Sequence, residues 1–475
     1  MAKFQFLKWQ LTFIARTGFL LWWFWRRQSE RRQTPKGCLG WPLIGETVEF
    51  IACGRSSNPV SFMQKRRVLY GKVFKSHLLG RPIIVSTDAE VNKVVLQNNG
   101  SIFEPFYPRS ISLLLGESSI LKINGNLRRR VHGLIGCFLK SPGLKDQVTR
   151  KIKDLMQLSM REWNEGQLVF IQDEARKIAF QVLAGVLMGI EPGEEMDLLM
   201  REFRVFSDGL ICVPVKLPGT TLYNSLKAKE RMKQLVEKII KEKMKKSENG
   251  TVKDVIDVLL NEMDSKKDGQ LTVDFICGNI IEMMIPGEDS VPMLITLAVK
   301  YLSDSPLALK QLLEENMELK RRKIHLGQEY ECADYMSLEF TQDVINESLR
   351  LGNIVVAIWR KALKDVNING YLIPRGWCVM ASFSSIHLDE ENYGNPYDFN
   401  PWRWQKNESK VLSNNFTPFG GGQRLCPGLE LSRLEASIFL HHLVTNQRWV
   451  AEEDYIVNFP IVKLKRRMPI RVSPI

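Results

Sequence analysis

A single cysteine near the C-terminus lies among residue types that favour the binding of a ligand. The segment Phe419-Gly-Gly-Gly-Gln-Arg-Leu-Cys-Pro-Gly428 places Cys426 two residues after Arg424. The glycines and Pro427 disfavour regular structure, whereas residues 429–444 have a helical apolar pattern, which predicts a loop-to-helix junction. Backbone N–H groups at such a junction should lower the pKa of the thiol and favour the thiolate. The arginine could then pair with an anionic group on a flat ligand that the glycines allow to approach.

Other interpretations of this segment explain less of it. An isolated cysteine is most often a small buried apolar residue. A phosphate-binding loop would need a Gly-Lys-Ser/Thr sequence, which is absent, and Gly420-x-Gly422 lacks the third glycine and the βαβ context of a dinucleotide site. Neither interpretation accounts for the alternating positions of Arg424, Cys426 and Gly428.

The segment is similar to the haem-binding loop of cytochromes P-450, Phe-x-x-Gly-x-Arg-x-Cys-x-Gly. The fixed positions of that motif are matched by Phe419, Gly422, Arg424, Cys426 and Gly428. The resemblance implies that Cys426 is the axial thiolate ligand of a haem b iron, and that Phe419, Gly420 and Gly428 of the same loop also bind the haem. It also implies that Arg424 binds a haem propionate. The implied fold is mainly α with small β-sheets, in which a long kinked distal helix and the cysteine loop enclose the haem.

A long apolar stretch is interrupted by three consecutive polar residues, Glu288 to Ser290, within the segment Met284-Ile-Pro-Gly-Glu-Asp-Ser-Val-Pro292. Two prolines remove backbone donors there, so a helix should be interrupted and kinked. A helix boundary with a solvated Glu-Asp-Ser cap is the simpler interpretation of the residues alone. The resemblance implies instead a distal helix in which Gly287, Asp289 and Ser290 serve dioxygen binding and proton delivery. Pro286 departs from the small residue of the family element, and Ser290 replaces its threonine but keeps a hydroxyl.

Glu347 and Arg350 are one helical turn apart, a spacing that usually gives an exposed ion pair. Their context is distinctive, because Trp359-Arg360 and Phe399-Asn-Pro-Trp-Arg-Trp404 follow closely. The resemblance implies that Glu347, Arg350 and Arg403 form a buried structural triad behind the haem. It further implies that Arg360 is a second propionate partner.

Two more basic residues, Arg128 and His132, follow Gly125 in a stretch that is predicted to begin a helix. The resemblance implies that these side chains face the haem propionates. Leu127 occupies the place where many members of the family carry a tryptophan, and a solvated basic face is an equally good interpretation of this stretch.

The elements that must position these residues are predicted to be mostly helices. Helical apolar periodicity dominates residues 144–350, whereas strand-like runs such as 82–86 are short and few. The chain has 475 residues, of which 44% are apolar and 25% are charged, as in a large globular domain. Eight scattered cysteines without a Cys-x-x-Cys pair argue against a zinc site or a disulfide framework and favour a reducing compartment. Residues 264–269 resemble a calcium loop but lack its ligands, so they are predicted to form a polar turn.

The net charge and the N-terminal sequence favour binding to a membrane surface over binding to nucleic acid. A formal net charge of +13 accompanies basic clusters at 26–32 and 227–246, and no nucleic-acid-binding motif is present. Residues 11–25 are largely apolar and aromatic and precede the basic run, which predicts a membrane anchor over 1–33 with the catalytic domain, 34–475, on the cytoplasmic side. The stretch is shorter than the ~20 residues of a typical span, so an interfacial helix or, less readily, a cleaved signal peptide stays open.

Beyond the superfamily, the sequence resembles the plant brassinosteroid oxidases, and among them the hydroxylases that act at C-23 of the steroid side chain. The matching segments are Leu39-Gly-Trp-Pro-Leu-Ile-Gly-Glu46, Met284 to Pro292, Arg350-Leu-Gly-Asn353 and Phe416 to Trp449. The resemblance implies C-23 hydroxylation of 6-deoxo sterol intermediates at the endoplasmic reticulum membrane. Electrons would come from NADPH through a separate cytochrome reductase, because the sequence has no flavin or nicotinamide fingerprint.

The resemblance also suggests where the sterol and the membrane would contact the protein. The candidate substrate-lining segments are 103–108, 113–115, 352–358 and 458–461, and residues 205–219 are expected to cover the entrance and to touch lipid. Three alternatives stay open: a monooxygenase acting on another steroid or triterpenoid, an oxygen-independent haem-thiolate isomerase or dehydratase acting on peroxides, and a non-catalytic haem or lipid carrier on the membrane.

Overall fold

The computed structural model describes residues 34–98, 100–246, 252–265, 270–405 and 415–475. The expected anchor, residues 1–33, and most of the predicted polar turn at 264–269 lie outside the described residues. Within the described ranges, no helix has both the length and the apolar character needed to cross a membrane.

Most of the described chain is helical. Helices α1 to α9 span Thr47–Gly54, Ser61–Tyr70, Ala89–Gln97, Arg109–Leu115, Gly125–Leu139, Pro142–Arg161, Ile171–Met188, Glu194–Ser207 and Thr221–Lys246. Helices α10 to α16 span Val255–Ser265, Val273–Ser303, Pro306–Leu326, Cys332–Met336, Glu339–Gly352, Ser384–His387 and Leu429–Asn446. The mainly α fold with small sheets is therefore confirmed, as are the helices expected after Gly125, over the basic stretch 227–246 and after Cys426.

The strands form small sheets at the periphery of the helices. Strands β1 to β12 span Val73–Leu78, Arg81–Ser86, Phe103–Pro105, Leu168–Phe170, Ala357–Ala362, Val366–Ile368, Tyr371–Ile373, Cys378–Ser382, Gln447–Ala451, Ile456–Val457, Lys463–Leu464 and Pro469–Pro474. A five-stranded sheet has the order β1-β2-β8-β5-β3 and is antiparallel except between β2 and β8. The order β4-β12-β9 forms a second sheet, and β6-β7 and β10-β11 form two hairpin-like pairs.

The helix α11 crosses the middle of the main core. Thr272 caps its N-terminus, because the side-chain oxygen accepts a hydrogen bond of 3.1 Å from the backbone N–H of Phe275. Nearly all of the apolar side chains of α11 are buried, since it packs most extensively on α7 and also on α9, α14 and α16. This helix is the expected distal helix.

The predicted interruption of this helix is wrong, because α11 is continuous through residues 286 and 292. Each proline removes one donor and costs about 3 kcal/mol in a helix interior, but burial of a 31-residue apolar helix outweighs this local cost. Gly287 serves the packing directly. A Cβ atom there would lie 2.1 Å from Cδ2 of Leu183 on α7, so the glycine permits close contact between the two helices.

Candidate functional site

The cysteine loop is closed by its own backbone and lies directly before α16. The N–H of Cys426 donates to the carbonyl of Phe419 at 3.1 Å, around a short 3₁₀ turn at Gly422–Arg424. Gly422 has φ 61° and its missing Cβ would lie 2.5 Å from the carbonyl oxygen of Leu96 at the end of α3. This glycine is therefore required for packing against α3, which is a reason that the sequence did not suggest.

The environment of the Cys426 thiol differs from the expectation. Burial raises its pKa, and the backbone N–H of Gly428 opposes that shift only in part. The expected lowering of the pKa is thus wrong for the polypeptide by itself, because burial in a low-dielectric interior outweighs the helix N-terminus. A bound cation is what would hold this sulfur as thiolate, since coordination to a metal deprotonates a thiol outright.

Three arginines from distant parts of the sequence converge near the loop. Burial and the positive charges of Arg128 and Arg360 lower the pKa of Arg424 to about 9, and burial likewise lowers the pKa of the other two. The phenol of Tyr107 is in electrostatic contact with all three, and burial raises its pKa. Within the described part of the protein, the Nε atom of each arginine is buried without a hydrogen-bond partner, and none of the three forms an ion pair.

This cluster meets the requirement for an anionic ligand. Buried guanidinium groups that repel one another need a negative charge between or beside them, and a pair of carboxylates satisfies them through charge-assisted hydrogen bonds. A haem presents one axial position to a sulfur and two propionates to cations. The residues present therefore fit a haem held by Cys426 as axial ligand, with its propionates near the arginines.

The basic residues also hold the loop itself. Arg424 donates to the carbonyls of Leu121 and Ile123 at 2.9 and 2.7 Å, and to Oδ1 of Asn124 at 2.8 Å. On α5, the guanidinium of Arg128 and the imidazole of His132 also contact the backbone of the cysteine loop.

From α5, Nη1 of Arg128 donates to the carbonyl of Gln423 at 2.8 Å, and Nε2 of His132 lies 3.0 Å from the carbonyl oxygen of Leu425. Burial and the charge of Arg128 lower the pKa of His132, which favours the neutral imidazole. On β5, Nη1 of Arg360 donates to the carbonyl of the preceding residue. Sequence reasoning named these residues but did not find that α5 supports the cysteine loop.

Two adjacent acidic residues of α11, Glu288 and Asp289, contact the neighbouring helices α8 and α7. Asp289 pairs with Arg176 of α7 at 3.4 Å, and burial raises the pKa of its carboxyl. Glu288 accepts a hydrogen bond of 3.2 Å from Oγ of Ser207, at the end of α8. Sequence reasoning missed Glu288, Arg176 and Ser207, although Glu288 stood within the motif that it singled out.

Ser290 shares a helical stripe with Asn279, since eleven residues are three turns of an α-helix and leave them about 20° apart. The amide of Asn279 binds Ile120 and Ser118 of the loop that Arg424 holds. This relation places Ser290 on the same face of α11 as Asn279, whereas Asp289 reaches Arg176 on α7.

We predict that Glu288 makes stability fall as the pH rises. Burial first, and then the charge of Asp289, raise the pKa of Glu288 from 4.5 to about 7, with Arg176, Ser207 and Arg204 opposing the shift. The folded protein therefore keeps a proton that the unfolded state releases, and this contribution is fully present below pH 4.5 and lost as the pH rises to 7. The free energy of unfolding of wild type should therefore fall across this pH window by roughly 2–3 kcal/mol more than that of Glu288→Gln.

The measurement compares urea unfolding of Glu288→Gln and wild type at pH 5 and pH 8. The matched control is Glu318→Gln on α12, because the Glu318 side chain is exposed and should leave the pH dependence unchanged. Identical pH dependence in wild type and Glu288→Gln would contradict the prediction.

The expected triad is assembled as a buried network. Arg350 is fully buried and donates from Nε and Nη2 to the two oxygens of Glu347 at 2.9 and 2.8 Å. Arg403 donates to Oε1 of Glu347 at 3.0 Å, and Nε1 of Trp404 donates to Oε2 at 3.0 Å. The network therefore joins α14 to the short 3₁₀ turn Pro401–Trp404. Trp404 was not identified as a partner from the sequence.

Comparisons with known proteins agree with this geometry. A family model described as Cytochrome P450 matches residues 35–463. The chain is 59% identical to 3-epi-6-deoxocathasterone 23-monooxygenase CYP90C1 of Arabidopsis thaliana, over 94% of this chain and 86% of that protein. It is 53% identical to 3-epi-6-deoxocathasterone 23-monooxygenase CYP90D1 of Arabidopsis thaliana, over 94% of this chain and 91% of that protein. The solved structure of retinoic acid bound cyanobacterial CYP120A1 superposes with a TM-score of 0.81 at 23% identity, covering 93% of this chain and 99% of that one.

Proposed function

This chain belongs to the cytochrome P450 family, and from that premise we propose that it hydroxylates C-23 of the side chain of a 6-deoxo steroid in brassinosteroid biosynthesis. As a member of the family it is a haem-thiolate monooxygenase that uses dioxygen. The observation that carries the substrate assignment is the identity, along nearly the whole length, to two proteins named as 3-epi-6-deoxocathasterone 23-monooxygenases.

The haem, when bound, supplies the activation of dioxygen that allows one oxygen atom to enter a C–H bond. The protein's own residues would hold and orient that group: the sulfur of Cys426 would bind its iron, and Arg128, Arg360 and Arg424 would donate to its carboxylates. The α5 contacts with the cysteine loop keep the sulfur in a fixed position.

Proton delivery is proposed for two neighbouring residues of α11. The hydroxyl of Ser290 is on the same face of α11 as Asn279 and can hold a proton at Oγ for transfer. The carboxyl of Asp289 is partly accessible and its pKa is raised by burial, so it can accept a proton from water at Oδ and pass it on. Arg176 holds this carboxyl at the α7 side of the helix.

The substrate assignment is tested by turnover. We expect the haem-loaded protein, with NADPH and a cytochrome reductase, to convert 3-epi-6-deoxocathasterone to a product that carries one new hydroxyl at C-23. The combined variant Asp289→Asn and Ser290→Ala should lower the rate of product formation by about 10²-fold or more, since a positioned proton donor contributes on this order. Mass spectrometry of the product gives both the rate and the oxidised carbon.

The matched control is Asp304→Asn, which changes an exposed carboxylate directly after the same helix and should leave the rate unchanged. Turnover of the steroid without NADPH and reductase would contradict the monooxygenase route. Oxidation at another carbon, or of a triterpenoid only, would contradict the substrate assignment. An unchanged rate in the combined variant would remove Asp289 and Ser290 from the proton route.

We also propose that the protein works at the endoplasmic reticulum membrane with its catalytic domain in the cytoplasm, and receives electrons from an NADPH-cytochrome reductase. The net charge of +13 supports docking to acidic surfaces. Four exposed apolar side chains between α8 and α9, namely Ile211, Val213, Val215 and Leu217, support contact of this segment with lipid. Flotation of the protein lacking residues 1–33 with phospholipid vesicles tests this contact.

A further inference from the structure

A lysine of the basic helix α9 turns toward the interior of the protein, and its side chain is 17% exposed. The ammonium group of Lys229 donates to the carbonyls of Leu114 and Leu115 at 2.8 and 2.9 Å, and to Oε1 of Glu282 at 3.1 Å. An ammonium has three protons, so these three acceptors satisfy it completely. Glu282 lies on α11 and is 2% exposed. Three helices, α4, α9 and α11, therefore meet at one cation, and we name this contact the Lys229 clasp.

The Lys229 clasp places a positive charge at the C-terminal end of α4, which is where a cation stabilises a helix most. Leu114 and Leu115 are the last residues of α4, and their carbonyls have no further turn of helix to accept hydrogen bonds. A lysine at that position also interacts favourably with the negative end of the helix dipole. The clasp thus attaches the C-terminal end of a seven-residue helix that is too short to be stable by itself, while Ser110 in its first turn donates to the carbonyl of Leu210 at 2.8 Å.

The segment that follows α4 runs along the site and is attached at two further points. The amide of Asn279 on α11 accepts from the backbone N–H of Ile120 at 2.6 Å. Arg424 of the cysteine loop then binds the carbonyls of Leu121 and Ile123. Residues 114–123 therefore form a strap that runs from α9, past the distal helix, to the cysteine loop.

The strap and the segment before α4 lie next to the charged residues of the site. Tyr107, two residues before α4, is in electrostatic contact with Arg360, Arg424 and Glu282. The segment leading into α4 thus lies near both the arginine cluster and Glu282 of the distal helix. A displacement of α4 would shift this segment and the strap that Asn279 and Arg424 hold.

We propose that Lys229 and Glu282 are positioning residues that fix the C-terminal end of α4 against the distal helix and thereby keep the bound substrate in one orientation. The consequence for turnover rests on the proposed function, whereas the attachment of α4 does not. Removing the clasp frees α4 to move, so the enzyme binds the steroid less tightly and in more than one orientation. The result is a higher KM and additional hydroxylated products, with a smaller change in kcat.

The test uses the haem-loaded double variant Lys229→Met and Glu282→Gln, which removes both charges together and leaves no unpaired buried ion. The matched control is Lys233→Met with Asp274→Asn. That pair also joins α9 to α11, at 2.5 Å, but Asp274 is 70% exposed and the pair does not reach α4. Glu282→Gln alone keeps the two bonds of Lys229 to α4 and should give an intermediate effect.

Hydrogen–deuterium exchange of the amides in 109–116, measured without substrate, is the first readout. We expect it to be at least about tenfold faster in the double variant than in the control, because local opening sets the exchange rate. With the steroid, KM should rise about five- to tenfold and a second hydroxylated product should appear, as expected for loss of ground-state positioning.

Two outcomes would overturn the proposal. Exchange in 109–116 equal to that of the control would show that the clasp does not fix α4. Faster exchange with an unchanged KM and a single product would show that α4 does not position the substrate. If the double variant does not fold, Glu282→Gln decides the question by the same two readouts. Because exchange is measured without steroid, a wrong substrate assignment is recognised separately, by the failure of wild type to convert the steroid.

Discussion

The Cys426→His protein is expected to lose all steroid hydroxylation and the red-shifted absorption band that the reduced, CO-bound wild type should show. That band reports a thiolate opposite the CO, and an imidazole cannot reproduce it. Burial raises the pKa of the Cys426 thiol and favours the neutral form, whereas coordination to a metal would hold the sulfur as thiolate. We therefore expect the apoprotein of wild type to react slowly with thiol reagents at this position, and the haem-loaded protein not to react.

The control for this prediction is Cys137→Ser. Cys137 is exposed on α5, the helix whose Arg128 and His132 hold the cysteine loop, and its replacement should leave the spectrum and turnover unchanged. A thiolate band that persists in Cys426→His would show that another residue is the axial ligand. A folded wild type that binds no haem would favour a carrier or structural role over catalysis.

The parts of the site that were predicted from sequence are those that depend on short-range pattern. The cysteine loop and its junction with α16 follow from glycines, prolines and apolar periodicity within about thirty residues. The spacing of Glu347 and Arg350, one helical turn, predicts that they pair. The segments rich in tryptophan and arginine that follow them distinguish this pair from an ordinary exposed ion pair. In these places local propensity and the final fold agree.

The parts that were missed depend on packing between distant segments. The direction of the pKa shift of Cys426 is set by burial, which a loop sequence does not reveal. Gly422 contacts α3, more than three hundred residues earlier in the sequence. Lys229 stands in a basic stretch that looks like a solvated face, yet its partners are 115, 114 and 53 residues away. Its helical spacing from the buried Leu222 and Met232 places this lysine near the apolar face of α9, but that pattern does not identify partners on other helices.

The distal helix shows how tertiary packing can outweigh a local rule. Two prolines within seven residues predict an interruption, and the structure has none between Val273 and Ser303. Gly287 explains part of this, because it allows α7 to lie against the helix at the point where a proline has removed a backbone donor. The same motif that was expected to break the helix thus contributes to its packing.

The second large effect is expected at the triad. Arg350→Met should lower the free energy of unfolding by about 3–5 kcal/mol, because it leaves Glu347 buried with one guanidinium partner fewer. It also removes the donors to the carbonyls of His387 and Pro396, each at 2.7 Å. Arg403 and Trp404 still donate to the carboxylate, so part of the charge stays compensated. Urea unfolding followed by tryptophan fluorescence and haem content gives the measurement.

A matched control with the same spacing is present in this protein. Glu318 and Arg321 are also three residues apart on a helix, but their side chains are 73% and 68% exposed, and Arg321→Met should change stability by less than about 0.5 kcal/mol. Equal effects of the two substitutions would contradict the view that burial makes the triad important. Adding Glu347→Gln to Arg350→Met should restore part of the stability, because it removes the charge that is left without its principal partner. This recovery would separate the cost of an unpaired buried charge from the loss of the hydrogen bonds that join α14 to the segment ending at Trp404.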